Sequence, residues 1–112
     1  MDTILVYTVC SNEEEAKKLA SSLIEEGLAA CVNILPGLSS CYKWEGKICY
    51  ENEYLLLIKA LESEYKMLET RIKALHSYSI PCILKLPLLG GNAEYLGWLK
   101  SQIDANSPRK EE

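Results

Sequence analysis

His76 is the one histidine of this chain, and with the five cysteines, Cys10, Cys31, Cys41, Cys49 and Cys82, it carries the widest chemical reach in the sequence. An imidazole changes charge near neutral pH and binds transition metals, so proton transfer in that range or imidazole ligation has to use His76. Cu(I) favours thiolate and imidazole, and a site for it needs a second soft ligand beside His76, with Cys10 or Cys82 as the candidates. A plainer role competes with this one. The cysteines show none of the short paired spacings that hold structural zinc, and their odd number argues against a disulfide framework. Cys31 in Ala29-Ala30-Cys31-Val32 and Cys82 in Ile80-Pro81-Cys82-Ile83 sit in apolar runs, where a cysteine usually packs as a small buried hydrophobe. His76 stands at a predicted helix end, where its plainer role is a C-terminal cap that complements the helix dipole.

Catalytic patterns are sparse. There is no nucleophile elbow, no phosphate-cradling glycine loop, and no partner other than His76 from which to build a triad. Gly90-Gly91 is read as a turn. The Glu13-Glu14-Glu15 run is read as a solvated first helical turn and not a metal cage, because adjacent helix positions do not face one another.

The elements that must position these residues follow from periodicity. Thr3 to Val9 is a strand, with Ile4 to Tyr7 as a run buried on both faces. Ser11 and Glu14 form a capping box that opens a helix. Ala16, Leu19, Ala20, Leu23 and Ile24 recur at three- and four-residue steps, and Gly27 ends the helix as its C′ residue. Leu28 to Ile34 is a second strand, after which Pro36-Gly37 reads as a turn that reverses the chain. Ser39 to Trp44 and Lys47 to Ala60 follow as strands around a reversal at Glu45-Gly46. This central ribbon is long for so small a domain, so its far end is expected to reach past its own sheet. Glu62 to Leu75 returns to helical spacing, Pro81 to Leu88 is a final strand, and Asn92 caps a short terminal helix through Tyr95, Leu96, Leu99 and Ile103.

This order is the split βαβ pattern, which predicts a ferredoxin-like α+β domain with its helices on one face of an antiparallel sheet and the other face bare. A bare face and an overlong ribbon both predict a homo-oligomer. The length of 112 residues gives one domain, expected over 1–104, with a polar tail over 105–112 that contains Arg109 and Lys110. A net charge of -4 argues against a nucleic-acid footprint. No apolar run approaches the ~20 residues of a membrane span. The N-terminus opens into a strand without an export signal, so the expected compartment is the cytoplasm.

Four blocks resemble the CutA family: Gly27-Leu28-Ala29-Ala30-Cys31-Val32-Asn33-Ile34, Tyr42-Lys43-Trp44-Glu45-Gly46, His76-Ser77-Tyr78 and Tyr95-Leu96-Gly97-Trp98-Leu99. They occur in the family's order and at its spacing, and the match covers nearly the whole chain. The resemblance implies a ferredoxin-like protomer in a tight trimer, the ribbon of one subunit extending the sheet of its neighbour. It also implies a role in tolerance to divalent cations, with copper binding in some members. The family's metal cluster resembles a cysteine at the end of the first strand with an adjacent histidine pair. This chain has Thr8 at that strand position, with Cys10 two residues on, and Leu75-His76 in place of two histidines, so only His76 carries over directly. The motifs would also bring Tyr42, Trp44, Glu45, Lys59 and Tyr78 toward a subunit boundary. There they serve either as interface anchors, with Lys59 and Glu45 an interchain ion pair, or as the lining of a small-ligand pocket in which Lys59 and His76 receive an anion. The alternatives to a metal-tolerance trimer are a regulatory trimer similar in architecture to PII signalling proteins and a scaffold that holds a protein partner.

Overall fold

The computed structural model describes residues 3–106. In chain order the elements are β1 (Thr3–Cys10), α1 (Glu13–Glu25), β2 (Cys31–Trp44), β3 (Lys47–Leu61), α2 (Tyr65–Leu75), β4 (Ile83–Pro87) and α3 (Ala93–Asn106), with a 3₁₀ turn over Glu62–Glu64 ahead of α2. The four strands form one sheet in the order β2-β3-β1-β4, every neighbouring pair antiparallel. With α1 and α2 as the crossovers this is the ferredoxin-like α+β arrangement. The tail expected over 105–112, with Arg109 and Lys110, lies from 107 onward outside the described residues.

Strand alternation divides the core. Ile4, Val6, Thr8 and Cys10 on β1 and Leu56, Ile58 and Ala60 on β3 are fully buried and pack with Leu19 and Leu23 of α1 and Leu68 and Ile72 of α2. The intervening Leu5, Tyr7, Leu57 and Lys59 are only half-buried. β1 is therefore not buried on both faces as its continuous apolar run predicts; a second face of the sheet stays largely open. That face is not wholly bare either. Lys59 alternates with Ile58 and Ala60 and so points to the open side, where its Nζ donates to the Tyr95 hydroxyl of α3 at 3.1 Å and lies 5.2 Å from that ring's centre. α3 is also longer than the short helix predicted, and it buries Leu99 and Ile103.

The ends of α1 are set by local chemistry. Asn12, not Ser11, is the N-cap: its Oδ1 accepts the Glu15 amide at 2.8 Å, while Glu15 Oε1 accepts the Ser11 amide at 3.3 Å. The cap falls one residue later than the Ser-x-x-Glu spelling predicts, because an asparagine caps as well as a serine, and Glu15 reaches back to the residue before the N-cap. At the other end Gly27, at φ 72°, lets its own amide reach Ile24 O and that of Leu28 reach Leu23 O, the paired bonds of a Schellman stop. Leu28 and Ala29 are consequently buried in a loop, and the strand begins at Cys31 and not at Leu28. β4 is shorter than Pro81 to Leu88 for a similar reason, since prolines bracket its ladder.

The most consequential departure is at Pro36-Gly37. The chain does not reverse there. β2 runs unbroken from Cys31 to Trp44, and its register against β3 passes from Leu35↔Leu55 to Leu38↔Glu53, three residues of β2 against two of β3. This is a β-bulge, with Gly37 at φ 79° supplying the left-handed residue. The real reversal is the two-residue turn Glu45-Gly46, both at positive φ, which matches the twist of the strands it joins. β1 reaches β3 only over Tyr54–Leu61, so from Glu53 outward β3 has β2 alone as a neighbour, and the hairpin projects as an arm from a molecule 48 Å long.

Candidate functional site

Two groups of chemically capable side chains lie back to back on the two faces of the sheet. On the helix-covered side, Cys10 ends β1, Glu15 occupies the first turn of α1 and His76 caps α2. Their Sγ, carboxylate oxygen and ring nitrogen all lie within 4.8 Å of one another. The cap of α1 turns Glu15 inward, so it leaves the solvated turn that its two acidic neighbours occupy. Sequence reasoning missed it because neighbouring side chains on a helix diverge, and that spacing alone does not say which one faces inward.

His76 is fixed on both sides. Its ring is fully buried; Nε2 lies 2.7 Å from the Val9 carbonyl, and Nδ1 accepts the Tyr78 amide at 3.0 Å. Accepting at Nδ1 places the proton of the neutral ring on Nε2, from which it donates to Val9. The plainer role as a helix cap is only part of the picture: the backbone amide of His76 does close α2 onto Ile72, yet the ring is committed to β1 and to the loop after α2. Glu15 Oε2 accepts the Ser77 amide at 2.7 Å and stands 3.7 Å from His76 Nδ1. Burial pushes the Glu15 carboxyl upward, but the hydrogen bonds from Ser77 and Ser11 and the adjacent imidazole outweigh it and hold the group below its ordinary value. Burial, followed by the charges of Glu15 and Glu53, pushes the Cys10 thiol up to about 12.

A thiol, a carboxylate and an imidazole at this separation are a donor set that suits a thiophilic transition ion. Thr8 lies on the same face as Cys10. It leaves Oγ1 buried with no hydrogen-bond partner among the described residues. Leu75 is half-buried against the core, and Cys82 lies on the other side of the sheet, away from His76.

The second group lines a cleft of about 760 Å³ on the open face, beneath the arm. The bulge builds it. Past Leu38 the extra residue shifts the parity of β2, so Ser40, Tyr42 and Trp44 stand opposite Glu51, Cys49 and Lys47 on one face; a register change of one residue carries a whole row of side chains to the other side. Tyr7 and Val9 form the floor, and the segment Tyr78 to Cys82 closes the side. Glu53, buried at 7% exposure, joins arm to loop: its Oε1 accepts the Ser40 hydroxyl and its Oε2 the Tyr78 hydroxyl, each at 2.6 Å. Burial and the Glu53 charge push both the Cys82 thiol and the Tyr78 hydroxyl upward. Glu53 carried no signal in the sequence beyond being one glutamate in a strand.

Of the residues predicted to meet at a boundary, Tyr42, Trp44 and Tyr78 share this cleft. Lys59 does not: it is bound to Tyr95 near the far end of β3, about 20 Å along the strand from Glu53 by strand rise. Glu45 sits in the turn at the arm's tip. His76 lies behind the cleft, two residues from Tyr78, with the two rings 4.9 Å apart. An anion held by Lys59 and His76 together therefore has no common site within one chain, because the sheet separates the two.

The family model described as CutA1 divalent ion tolerance protein matches residues 4–102. The Thermus thermophilus divalent-cation tolerance protein CutA is 48% identical over 89% of this chain and 96% of its own length. A rice protein described as CutA 1, chloroplastic, is 50% identical over 88% of this chain, which spans only 56% of the rice protein's length. The crystal structure of CutA1 from Oryza sativa superposes with a TM-score of 0.89 at 48% identity, covering 91% of this chain and 94% of that one. A bulged two-stranded arm on a ferredoxin-like sheet and matches of this extent lead to one conclusion: the chain belongs to the CutA1 divalent ion tolerance family.

Proposed function

We propose that this chain acts in divalent-cation tolerance as a binding protein and not as a catalyst, holding one thiophilic ion, copper foremost, at Cys10, Glu15 and His76. The reading is carried by the convergence of three donor atoms within 4.8 Å around the only histidine. Binding has a definite cost in this geometry. The Cys10 thiol, raised to about 12, must give up its proton, which a cation's charge favours. His76 Nδ1 must exchange the Tyr78 amide for the ion, while Nε2 keeps its bond to Val9 and holds the ring in place.

The working form is a homotrimer. The open face carries an exposed apolar row that includes Leu35, Leu84 and Leu86, and the side of the arm away from the cleft exposes Ile48 and Tyr50, more apolar surface than an isolated chain ordinarily leaves in water. Light scattering is expected to give three times the chain mass. The compartment proposed is the cytoplasm, in keeping with five free thiols.

Isothermal titration with Cu(I) under reducing conditions tests the metal reading. One ion per chain is expected, lost in a Cys10→Ser, His76→Ala double variant; no saturable uptake, or uptake unchanged in that variant, removes the site. A second reading, a small-molecule-binding regulatory trimer of PII-like design, is supported by a separate observation, the cleft beneath the arm.

A further inference from the structure

We propose that the cleft beneath the β2–β3 arm binds a small organic cation, its ammonium group directed at Glu53 and Glu51 and its carbon frame laid on Tyr42, Trp44 and Tyr78. The proposal rests on the small-molecule reading of the cleft and gives that reading a chemical class.

Three observations on the lining carry it. The only charged side chains among the lining residues are the two carboxylates, Glu51 and Glu53. The nearest cation on the same face of the arm is Lys47, placed across from Trp44 at the tip and outside the lining. An anionic ligand, for which the sequence offered Lys59 and His76, therefore meets no positive group of the same chain in the cleft.

Glu53 is buried, yet none of the ion pairs among the described residues includes it. The hydroxyls of Ser40 and Tyr78 each satisfy one of its oxygens with a hydrogen bond and leave the negative charge uncompensated. A buried carboxylate held in this way is stabilised by a cation that reaches it, and an oxygen accepting one hydrogen bond has a lone pair left for an N–H donor. Neighbouring groups report the same negative potential. The Tyr42 hydroxyl is pushed upward by burial and by Glu51, and the Cys82 thiol by burial and by Glu53.

The remaining walls are aromatic and soft. Tyr7, Tyr42, Trp44 and Tyr78, with Val9 and Ile80, surround the carboxylates. Aromatic faces attract cations through their quadrupoles, and carboxylates flanked by such rings favour an organic ammonium over a hydrated metal ion, whose water shell the apolar walls do not replace. A volume of about 760 Å³ is that of a site for a metabolite and not for a bare ion.

The test uses the full chain in its native assembly and three probes of one shape: benzylamine, benzyl alcohol and benzoate. Titration is followed by calorimetry and by tryptophan emission, with Trp44→Phe assigning the optical signal to the arm and Trp98→Phe serving as the control. Benzylamine is expected to bind saturably and to change Trp44 emission, the alcohol to bind at least about tenfold more weakly and benzoate not at all. Glu51→Gln, at an exposed position, is expected to weaken benzylamine several-fold, and Glu53→Gln by about tenfold or more. A Cys10→Ser variant, which keeps the His76 bond to the Tyr78 amide, is expected to leave amine binding in place. Equal binding of amine and alcohol, or a preference for benzoate, overturns the cation assignment while leaving the cleft a ligand site. No saturable binding of any probe overturns the cleft reading as well, as it would if a basic side chain of a neighbouring copy neutralises Glu53. Amine binding unchanged in both glutamate variants places the amine elsewhere and overturns the proposal.

Discussion

The two faces of this sheet carry sites of opposite construction. The Cys10–Glu15–His76 cluster is assembled from the ends of three elements, and both nitrogens of its imidazole already have hydrogen-bond partners. The cleft is assembled from alternate residues of a hairpin with a single neighbour on one side, and it keeps a buried charge unpaired. The first can accept a ligand only by giving up an internal bond; the second loses nothing. Saturated groups make a site selective and slow to load, whereas open, pre-formed walls make one ready to bind. The two meet in one short segment, His76-Ser77-Tyr78, whose first residue faces the cluster and whose third faces the cleft.

The largest effect is expected from Gly37→Val, because a β-branched residue disfavours the left-handed conformation (φ 79°) that the bulge requires. Without the bulge the outer half of β2 is out of step by one residue, and Tyr42 and Trp44 move to the opposite face. The cleft is then lost while the cluster, which contains no residue of β2, remains. Loss of probe binding and of self-association with the Cu(I) stoichiometry unchanged is the expected result. Loss of both functions together would show that the two sites are not separable.

His76→Ala comes next. It strands the Val9 carbonyl and the Tyr78 amide without partners and leaves a void, so a loss of about 3 kcal/mol in urea unfolding is expected. Tyr78→Phe removes a hydroxyl from one oxygen of Glu53 and is expected to cost about 1 kcal/mol by the same measurement. A loss as large as that of His76→Ala would mean that the cleft is as tightly committed as the cluster.

The smallest effect is kinetic. Native-state alkylation is expected to reach exposed Cys41 first, then Cys49 and Cys82 in the cleft, and Cys10 only on unfolding. For Cys82 the half-reactive pH is expected above its ordinary 9.0, because burial and Glu53 both disfavour the thiolate. The expectation fails if Cys10 labels in the folded protein as fast as Cys82, which would make the cluster as open as the cleft.

Much of the fold can be read from the chain because the physics involved is local. The three-and-four spacing from Ala16 to Ile24, the left-handed stop at Gly27, the Glu45-Gly46 reversal and the Asn92 cap each depend on residues within one or two turns of one another, and each stands where periodicity or turn chemistry places it. Local rules failed where two local solutions compete. Pro36-Gly37 suits a turn or a bulge equally well, and the choice depends on whether β3 continues alongside, which is a long-range matter.

His76 and Cys10 were legible as candidate ligands by residue type alone, and Tyr42, Trp44 and Tyr78 as candidate pocket residues through family motifs. Glu15 and Glu53 were not. A glutamate on a helix or in a strand reads as solvated until something packs over it.

By itself, then, the amino-acid sequence determined the order of elements, the ferredoxin-like class and the residues capable of chemistry, because helix periods, caps and turns are set by neighbours along the chain. Only the tertiary structure decided which of those residues meet. Packing turned Glu15 inward to Cys10 and His76, a single extra residue in β2 aimed the arm's aromatics at the open face, and the sheet between them kept Lys59 and His76 apart. Distance through space is fixed by register and layer packing, quantities that no stretch of sequence holds on its own.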